Sequence, residues 1–216
     1  MIDIVILSNA KDESLKSITN DCINSIHKNT KKCNIIVVEQ NKYIHWNKAN
    51  LVMNVNEKFN YNRFANLGAK EGFNEWICIA NNDLIFTPNW LDQLLKIDNP
   101  VISPRCPDDK RQQNINGFEK GVQVGRHLSG WCFVVKRKVW EKIGGFDEDF
   151  SFWCADNSFV EQLIKIGIEP VVVEKSIVYH LGSKTLKTVN NRDELTKQQV
   201  IKFNRKYDKN LFGYGK

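Results

Sequence analysis

Short apolar runs alternate with amphipathic stretches along the N-terminal part of the chain. Residues 13 to 27 and residues 61 to 71 place apolar side chains at helical spacing. The runs between them are apolar at nearly every position, as in parallel strands that are covered on both faces. They cover residues 2 to 7, 35 to 38, 51 to 55 and 76 to 80. This alternation predicts an α/β fold, with a mixed, mostly parallel central sheet flanked by helices.

The C-terminal half gives weaker but similar signals. Thr87 and Pro88 are good cap and first-turn residues and predict a helix that begins there. Residues 104 to 120, rich in Pro, Asp, Lys, Gln and Asn, predict a long loop, and loops of this length are usually either functional or mobile. Further strands are predicted at residues 131 to 135, 171 to 173 and 177 to 179, and further helices at residues 137 to 143 and 157 to 166.

Length and charge divide the chain unequally. Its 216 residues can form one substantial core. Residues 184 to 216 contain nine Lys and Arg against three acids, so they hold the whole net charge of +6. We therefore expect one domain over residues 1 to 183 and a basic tail over residues 184 to 216. The tail, a loop plus a helix, would pack on the site or close over it, either as a solvated helix face or as a phosphate-binding segment.

The sequence predicts a soluble, cytoplasmic protein. No apolar run approaches the roughly 18 residues that a membrane-spanning helix needs. The N-terminus has no basic region before its apolar stretch, which is therefore expected to be a first strand and not a secretion signal. The six cysteines include no CxxC pair, and several lie in apolar runs, as expected for buried thiols in a reducing compartment.

Polar side chains follow three of the predicted strands at the point where each strand ends. In open α/β sheets, ligands bind beyond the carboxyl ends of the strands. Each cluster alone fits ordinary turn chemistry, but turns do not require all three ends to be polar. The clusters are Ser8 and Asn9, then Glu39, Gln40 and Asn41, then Asn81, Asn82 and Asp83.

Four segments, in order, resemble the inverting glycosyltransferases of the GT-A fold, in particular the large family-two group. "NIIVVEQN" is similar to a strand ending in an acid, and "NYNRFANLGAKEGFNEWICIANNDLIF" to a segment ending in an Asp-x-Asp-like motif. "SGWCFVVKRKVWEKIGGFDEDFSFWCADNSFVEQLIKIG" resembles the acceptor-side segment, and "VYHLGSKT" a strand ending in a histidine near the metal. The resemblance spans nearly the whole chain.

This resemblance implies transfer of a sugar from a nucleotide-diphosphate donor, assisted by Mn²⁺ or Mg²⁺. A divalent cation would stabilise the charge that develops on the leaving diphosphate. Asp83, with Asn82 beside it, resembles the metal-binding carboxylate, and His180 resembles the metal-side histidine; without the resemblance, His180 could simply cap a strand end. Asn81 stands where the family often has an acid, which puts a strict metal requirement in question.

The resemblance also assigns a base on the acceptor side. Inversion needs a group that removes the proton of the attacking hydroxyl. Asp156 matches the carboxylate that ends the family's aromatic-rich stretch; from the sequence alone it could equally be a helix N-cap. Ala155 and Ser158 stand where the family usually has acids, so the subgroup is open.

The remaining assignments concern substrates. Glu39 resembles the acid that bonds the nucleobase, which favours a uridine donor, and Arg63 and Asn66 resemble positions that line diphosphate and ribose. Lys184 lies where the family often has a loop that closes over the diphosphate. Trp131 and Trp153 are candidate acceptor contacts. The acceptor would be a glycan, a glycoprotein or another hydroxyl compound, with nucleic acid a less favoured choice.

Two other classes of protein are alternatives to this enzyme. A nucleotidyltransferase would need a glycine-rich loop after the first strand, and "LSNAKDES" contains no glycine. A non-catalytic sugar- or partner-binding module on the same scaffold is compatible with Asn81 and Ala155. Hydrolysis of the donor distinguishes this module from an enzyme.

Overall fold

The computed structural model describes residues 1 to 182 and 192 to 213. The strands are β1 (Ile2–Ser8), β2 (Cys33–Glu39), β3 (Leu51–Asn54), β4 (Trp76–Asn81), β5 (Leu84–Phe86), β6 (Val101–Arg105), β7 (Phe118–Lys120), β8 (Cys132–Lys136) and β9 (Val171–His180). The helices are α1 (Glu13–Asn29), α2 (Tyr61–Glu71), α3 (Trp90–Leu94), α4 (Arg137–Ile143), α5 (Ala155–Lys165) and α6 (Arg192–Tyr207), with 3-10 turns at Lys110–Gln112 and Leu211–Gly213.

The strands form one mixed sheet, which confirms the predicted fold class. Its order is β3-β2-β1-β4-β8-β6-β9-β5, and β7 pairs with β9. The first four strands are parallel, β8 and β5 run antiparallel to their neighbours, and β6 is parallel to β9. Ser8 pairs with Glu39, and Leu7 pairs with Asn81. The carboxyl ends of β1, β2 and β4 therefore lie side by side.

Each face of the sheet has its own apolar core, because successive side chains of a strand point to opposite faces. Ile4 and Ile6 pack with residues of α1 and α3 on one face. Val5 and Leu7 pack with residues of α2, α4 and α5 on the other. The strands that carry the polar ends are thus covered on both faces, and their ends are rigidly placed.

A buried ion pair stabilises the end of the sheet that lies opposite the polar strand ends. Asp3, fully buried in β1, accepts hydrogen bonds from Asn34 Nδ2 at 2.8 Å and from the Asn74 backbone N–H at 2.7 Å. Arg137, at the start of α4, completes the pair with a nitrogen 2.8 Å from the Asp3 carboxylate and donates to two backbone carbonyls. This network joins β1, the start of β4 and α4 at a distance from the proposed chemistry.

Several elements differ from the sequence-based expectation. The helix expected to begin at Thr87 is wrong at its start: α3 begins at Trp90 after Asn89, which adopts a left-handed conformation with φ 62°. The Thr87 hydroxyl instead donates to the Ile177 carbonyl at 2.8 Å. Strands β5, β6 and β7 were not predicted, and β9 is one continuous strand. Each missed strand has only three to five residues, too few to show a periodicity.

Helix α6 packs against the segment that precedes α5. Val200 and Phe203 form a small apolar cluster with Phe150 and Cys154. Lys206 Nζ lies 2.6 Å from an Asp147 carboxylate oxygen and 2.7 Å from one of Asp149. The part of the tail that the structure describes is therefore anchored to the acidic turn before α5. No helix in the described residues is long and apolar enough to cross a membrane.

Candidate active site

Asp83 and His180 come together at the ends of two paired strands. Strand β5 runs antiparallel to β9, and Leu84 pairs with His180, so Asp83 lies beside the last residue of β9. The Asp83 carboxylate is nearly buried, and its Oδ1 lies 3.3 Å from His180 Nε2. Nε2 itself is buried and has no hydrogen-bond partner among the described residues.

This pair fits a divalent cation of the manganese type. Carboxylate oxygen and imidazole nitrogen are both ligands for such an ion. An unpartnered buried nitrogen beside a carboxylate is unfavourable unless a proton or a metal ion lies between them. The described residues contain no group of three His, Cys, Asp or Glu that could hold a metal.

A cavity of about 370 Å³ opens next to this pair. The Trp131 indole stacks on the His180 ring, with centroids 5.5 Å apart and planes 18° apart. On another wall, Arg111 binds both carboxylate oxygens of Asp109. Burial alone would raise the pKa of Asp109. The hydrogen bonds from Arg111 outweigh burial and hold this pKa below its ordinary value. The lining residues are Cys106, Asp108, Asp109, Lys110, Arg111, Trp131 and His180.

Asp156 lies inside the first turn of α5 and does not cap it. The helix begins at Ala155, after Cys154 in a left-handed conformation. Asp156 Oδ1 accepts from the Asn157 backbone N–H at 3.0 Å, and Oδ2 accepts from the Gly130 N–H at 3.3 Å. The residue is half-buried, and the protein atoms crowded around its carboxyl desolvate it and raise its pKa, although the two N–H groups and Arg111 act in the opposite direction. A carboxylate with a raised pKa is a better proton acceptor.

The dipeptide Gly130–Trp131 joins the two halves of the site. Its first N–H holds Asp156, and its indole covers His180. The Trp131 carbonyl accepts from the Asn81 N–H at 2.9 Å, which ties the dipeptide to the end of β4. Asp83, His180 and Asp156, far apart in the sequence, therefore lie around one connecting segment.

Ser8 and Asn82 both contact Thr19, a residue that the sequence did not indicate. Thr19 of α1 lies between them: its Oγ1 accepts from Asn82 Nδ2 at 2.8 Å and lies 3.4 Å from Ser8 Oγ. All three side chains are buried, so these contacts fix the turn that presents Asp83. Asn9 follows Ser8 at the same edge and is half-buried.

Glu39 is fully buried at the end of β2, where its carboxylate organises the neighbouring loops. Oε1 accepts from the Ala10 N–H at 3.2 Å and the Asn41 N–H at 2.8 Å. Oε2 accepts from Trp46 Nε1 at 3.2 Å. The carboxylate thus has an internal structural role, and its contact with a nucleobase stays a prediction.

Arg63 and Asn66 both contact the turn that follows α4. The Asn66 amide accepts from the Phe146 N–H at 2.8 Å and donates to the Phe146 carbonyl at 2.9 Å. Arg63 lies 2.9 Å from Glu57 and 3.5 Å from Glu148. The structure gives both side chains partners within the protein, so their predicted contacts with the donor remain untested.

Four residues of the site were not predicted from the sequence: Tyr61, Asp109, Arg111 and Gly130. Lys184, which was predicted, lies outside the described residues. The loop between β6 and β7 brings Asp109 and Arg111 to the cavity, and no local pattern shows the path of such a loop. The G-W pair of "SGWCFVVK" was available as a signal, because a glycine beside a predicted aromatic wall indicates a close approach of the backbone.

Comparison with solved structures finds the same architecture in glycosyltransferases. A mannosyltransferase from Pyrobaculum calidifontis, PcManGT, in complex with GDP-Man and Mn²⁺, superposes with a TM-score of 0.66 at 12% identity. That alignment covers 95% of this chain and 63% of the other. No protein-family model and no curated protein matches the chain.

Two further structures agree. GalNAc-T7 with UDP, GalNAc and Mn²⁺ gives a TM-score of 0.65 at 15% identity, over 83% of this chain and 43% of the other. S. aureus TarS 1-349 gives 0.68 at 12% identity, over 99% of this chain and 74% of the other. This chain thus spans less than two thirds of the length of two of the three structures. It has the GT-A fold that these glycosyltransferases share.

Proposed function

We propose that the protein transfers a sugar from a nucleotide-diphosphate donor to an acceptor hydroxyl with inversion, as an enzyme similar to family two. The observation that supports this most directly is the arrangement around Gly130–Trp131. The Trp131 indole stacks on His180, whose unpartnered imidazole nitrogen lies beside the Asp83 carboxylate, and the Gly130 N–H donates to Asp156, a half-buried carboxylate with a raised pKa.

Asp83 and His180 would hold the divalent cation, Mn²⁺ or Mg²⁺. When bound, the cation would offset the negative charge that develops on the departing diphosphate. Asn81 adds no charge here, and its backbone N–H is already used to hold Trp131. With two protein ligands among the described residues, we expect the cation to bind weakly until the diphosphate supplies further oxygens.

Asp156 would remove the proton of the acceptor hydroxyl as that oxygen attacks the sugar carbon. Its carboxylate has only backbone N–H groups as hydrogen-bond donors in the described structure, which leaves acceptor capacity free for a hydroxyl. Inversion requires a base that approaches the sugar from the side opposite the leaving group, and we propose Asp156 for this position.

We assign a uridine donor on the position of Glu39. Its carboxylate is fully buried, so the loops that it holds would have to open before a ring N–H could reach Oε2. Ser8, Asn9 and Asn82 lie at the same edge and would border the ribose and diphosphate. Arg63, Asn66 and Lys184 are the remaining proposed donor contacts, although Asn66 would act mainly through the turn that it holds.

The acceptor is proposed to be a glycan, a glycoprotein or another hydroxyl compound. A nucleic acid acceptor is less favoured, because Lys202, Lys206 and Lys209 of the tail are paired with carboxylates of the domain. Deletion of the tail is a poor test, since it would expose the apolar cluster under α6. Activity measured against salt concentration, with and without Arg205→Ser in the groove along α6, separates the two acceptor classes.

A cytoplasmic location is proposed on the cysteines. All six are free thiols, and Cys78 and Cys132 lie with their sulfurs 3.8 Å apart without forming a bond. Free thiols in this number are typical of a reducing compartment.

The function is tested by incubating the purified protein with a panel of nucleotide sugars, with and without Mn²⁺, and measuring the released nucleotide diphosphate. We expect uridine donors to give the highest rate and Mn²⁺ to increase it. Slow hydrolysis without an acceptor is sufficient as a signal. Binding of a nucleotide sugar with no release, for every donor and acceptor class tried, would instead support the non-catalytic binding module.

A further inference from the structure

The Tyr61 hydroxyl is hydrogen-bonded to Gly130, the residue whose N–H binds the Asp156 carboxylate. Tyr61 is the first residue of α2, is nearly buried, and donates its hydroxyl hydrogen bond to the Gly130 carbonyl. Its own backbone N–H donates to the Ser151 carbonyl at 2.6 Å. Two hydrogen bonds from one residue thus fix α2 against both segments that border Asp156.

Gly130 is held between Tyr61 and Asp156. Its carbonyl accepts from Tyr61, and its N–H donates to Asp156 Oδ2 at 3.3 Å. A Cβ at position 130 would lie 3.3 Å from the same oxygen and 3.5 Å from the carboxyl carbon, tighter than ordinary contact for the former. The position of Gly130 therefore determines how closely one backbone donor approaches the carboxylate.

We propose that Tyr61 is a positioning residue for the base, acting through Gly130 to hold one hydrogen-bond donor on Asp156. The inference rests on the proposed function, since it assigns the reason why this carboxylate keeps a defined place and basicity. Without the Tyr61 hydroxyl, the Gly130 carbonyl loses its partner, the segment can shift, and the long hydrogen bond to Oδ2 is the first to weaken.

Other charged groups facing Asp156 do not replace this contact. Arg111 lowers the pKa of Asp156 through its charge, but its guanidinium is engaged by Asp109. Burial and the Asp156 charge raise the pKa of the Cys154 thiol to about 12, so the thiol is neutral. Burial, with the Asp156 charge, also raises the pKa of Tyr61 well above its ordinary value. Tyr61 therefore remains a hydroxyl donor at any working pH.

The test compares Tyr61→Phe with the wild type and with Tyr207→Phe as a matched control. Tyr207 also donates its hydroxyl to a carboxylate, Asp147 Oδ2 at 3.0 Å, but has no contact with Gly130. The pKa of Asp156 is followed by ¹³C NMR of the carboxyl, assigned with Asp156→Asn. We expect Tyr61→Phe to raise this pKa and Tyr207→Phe to leave it unchanged. The acid limb of the kcat profile should move to higher pH in Tyr61→Phe. On the plateau, kcat should be about 2- to 10-fold lower, the factor expected for one hydrogen bond, because the loss of a defined position outweighs the gain in basicity, and donor KM should be unchanged.

Gly130→Ala provides a second variant, since φ at this position is accessible to alanine and the added methyl presses on the carboxylate from the same side. We expect it too to raise the pKa of Asp156. An unchanged Asp156 pKa in Tyr61→Phe overturns the inference, and a raised pKa in Gly130→Ala then shows that the measurement does respond to a change at Gly130. The NMR titration needs no turnover, so a protein inactive on every donor would refute the proposed function while this measurement still decides the role of Tyr61.

Discussion

Replacing Asp156 with asparagine removes the proposed base with little change of shape. The amide keeps an oxygen for the Asn157 N–H, whose hydrogen bond is the shorter of the two, and places its NH₂ toward the Gly130 N–H, where the existing bond is 3.3 Å long. Asp83 and His180 are not among the hydrogen-bond partners of Asp156 in the described structure, so they lose no partner. The substitution should therefore separate proton removal from donor binding.

The expected loss of turnover follows from the role of a general base. Such a group contributes about 10²- to 10⁴-fold, which corresponds to about 2.7 to 5.5 kcal/mol in the activation barrier. Since the described structure shows no second carboxylate hydrogen-bonded at Gly130, we expect no substitute base. The fall should therefore be at least about 100-fold.

The assay measures kcat by release of nucleotide diphosphate and donor affinity by calorimetry in the presence of Mn²⁺. We expect kcat to collapse in Asp156→Asn and donor Kd to stay within about twofold of the wild type. A variant that retains full turnover would refute Asp156 as the base. A variant that loses donor binding would show that the carboxylate serves the donor and not the acceptor.

The same variant has a stability signature whose direction follows from the raised pKa of Asp156. Because the folded-state pKa lies above the unfolded value of about 3.9, the folded protein holds this proton more tightly. Stability is lost as pH rises from the unfolded pKa to the folded pKa, and the penalty is complete above the latter. Asparagine has no such penalty. The Tm of Asp156→Asn relative to the wild type should therefore increase from acid to neutral pH; a constant or declining difference contradicts the assigned burial.

Three further variants test the supporting structure. Asn66→Ala removes two hydrogen bonds to the Phe146 backbone, so it should lower the free energy of unfolding by about 2 kcal/mol in urea denaturation; a raised donor KM without this loss would mark Asn66 as a donor ligand. Asp3→Ala leaves Arg137 without its buried partner and should lower the free energy of unfolding by about 3 to 5 kcal/mol, with donor KM unchanged. A much smaller loss of stability would show that solvent reaches Arg137 and replaces Asp3 as its partner. Trp131→Ala, compared with Trp131→Phe, should weaken Mn²⁺-dependent nucleotide affinity by about 2- to 10-fold, the worth of one ring stack; equal affinities would exclude a role for the stacking on His180.

The sequence predicted the layers of the fold because its parallel strands are long apolar runs covered on both faces. It also predicted that Asp83 and His180 belong together, through a resemblance between motifs and not through any pattern in the chain. The pairing of Leu84 with His180 supplies the physical reason, and it depends on β5, a three-residue strand that no periodicity reveals.

Contacts made by backbone groups were beyond prediction. Gly130 serves the site with its N–H and its carbonyl, which every residue possesses, so residue type does not mark the role. Glu39 and Asn66 were predicted as donor ligands through the family resemblance, and the structure shows that their polar atoms already hold loops of the protein itself. Asp109 and Arg111 depend on the path of the loop after β6, which is set by packing across the whole domain.

The proposed chemistry depends most on a cation held by Asp83 and His180 at the nucleotide diphosphate. The most direct measurement is calorimetric titration of UDP with and without Mn²⁺ into the wild type, Asp83→Asn, His180→Ala and the control Asp108→Asn, an exposed acid that lines the same cavity without contacting His180 in the described structure. We expect Mn²⁺ to strengthen UDP binding in the wild type and in Asp108→Asn and to have little effect in the other two variants. If Mn²⁺ strengthens UDP binding equally in all four proteins, the cation does not lie between Asp83 and His180, and the proposed chemistry is wrong.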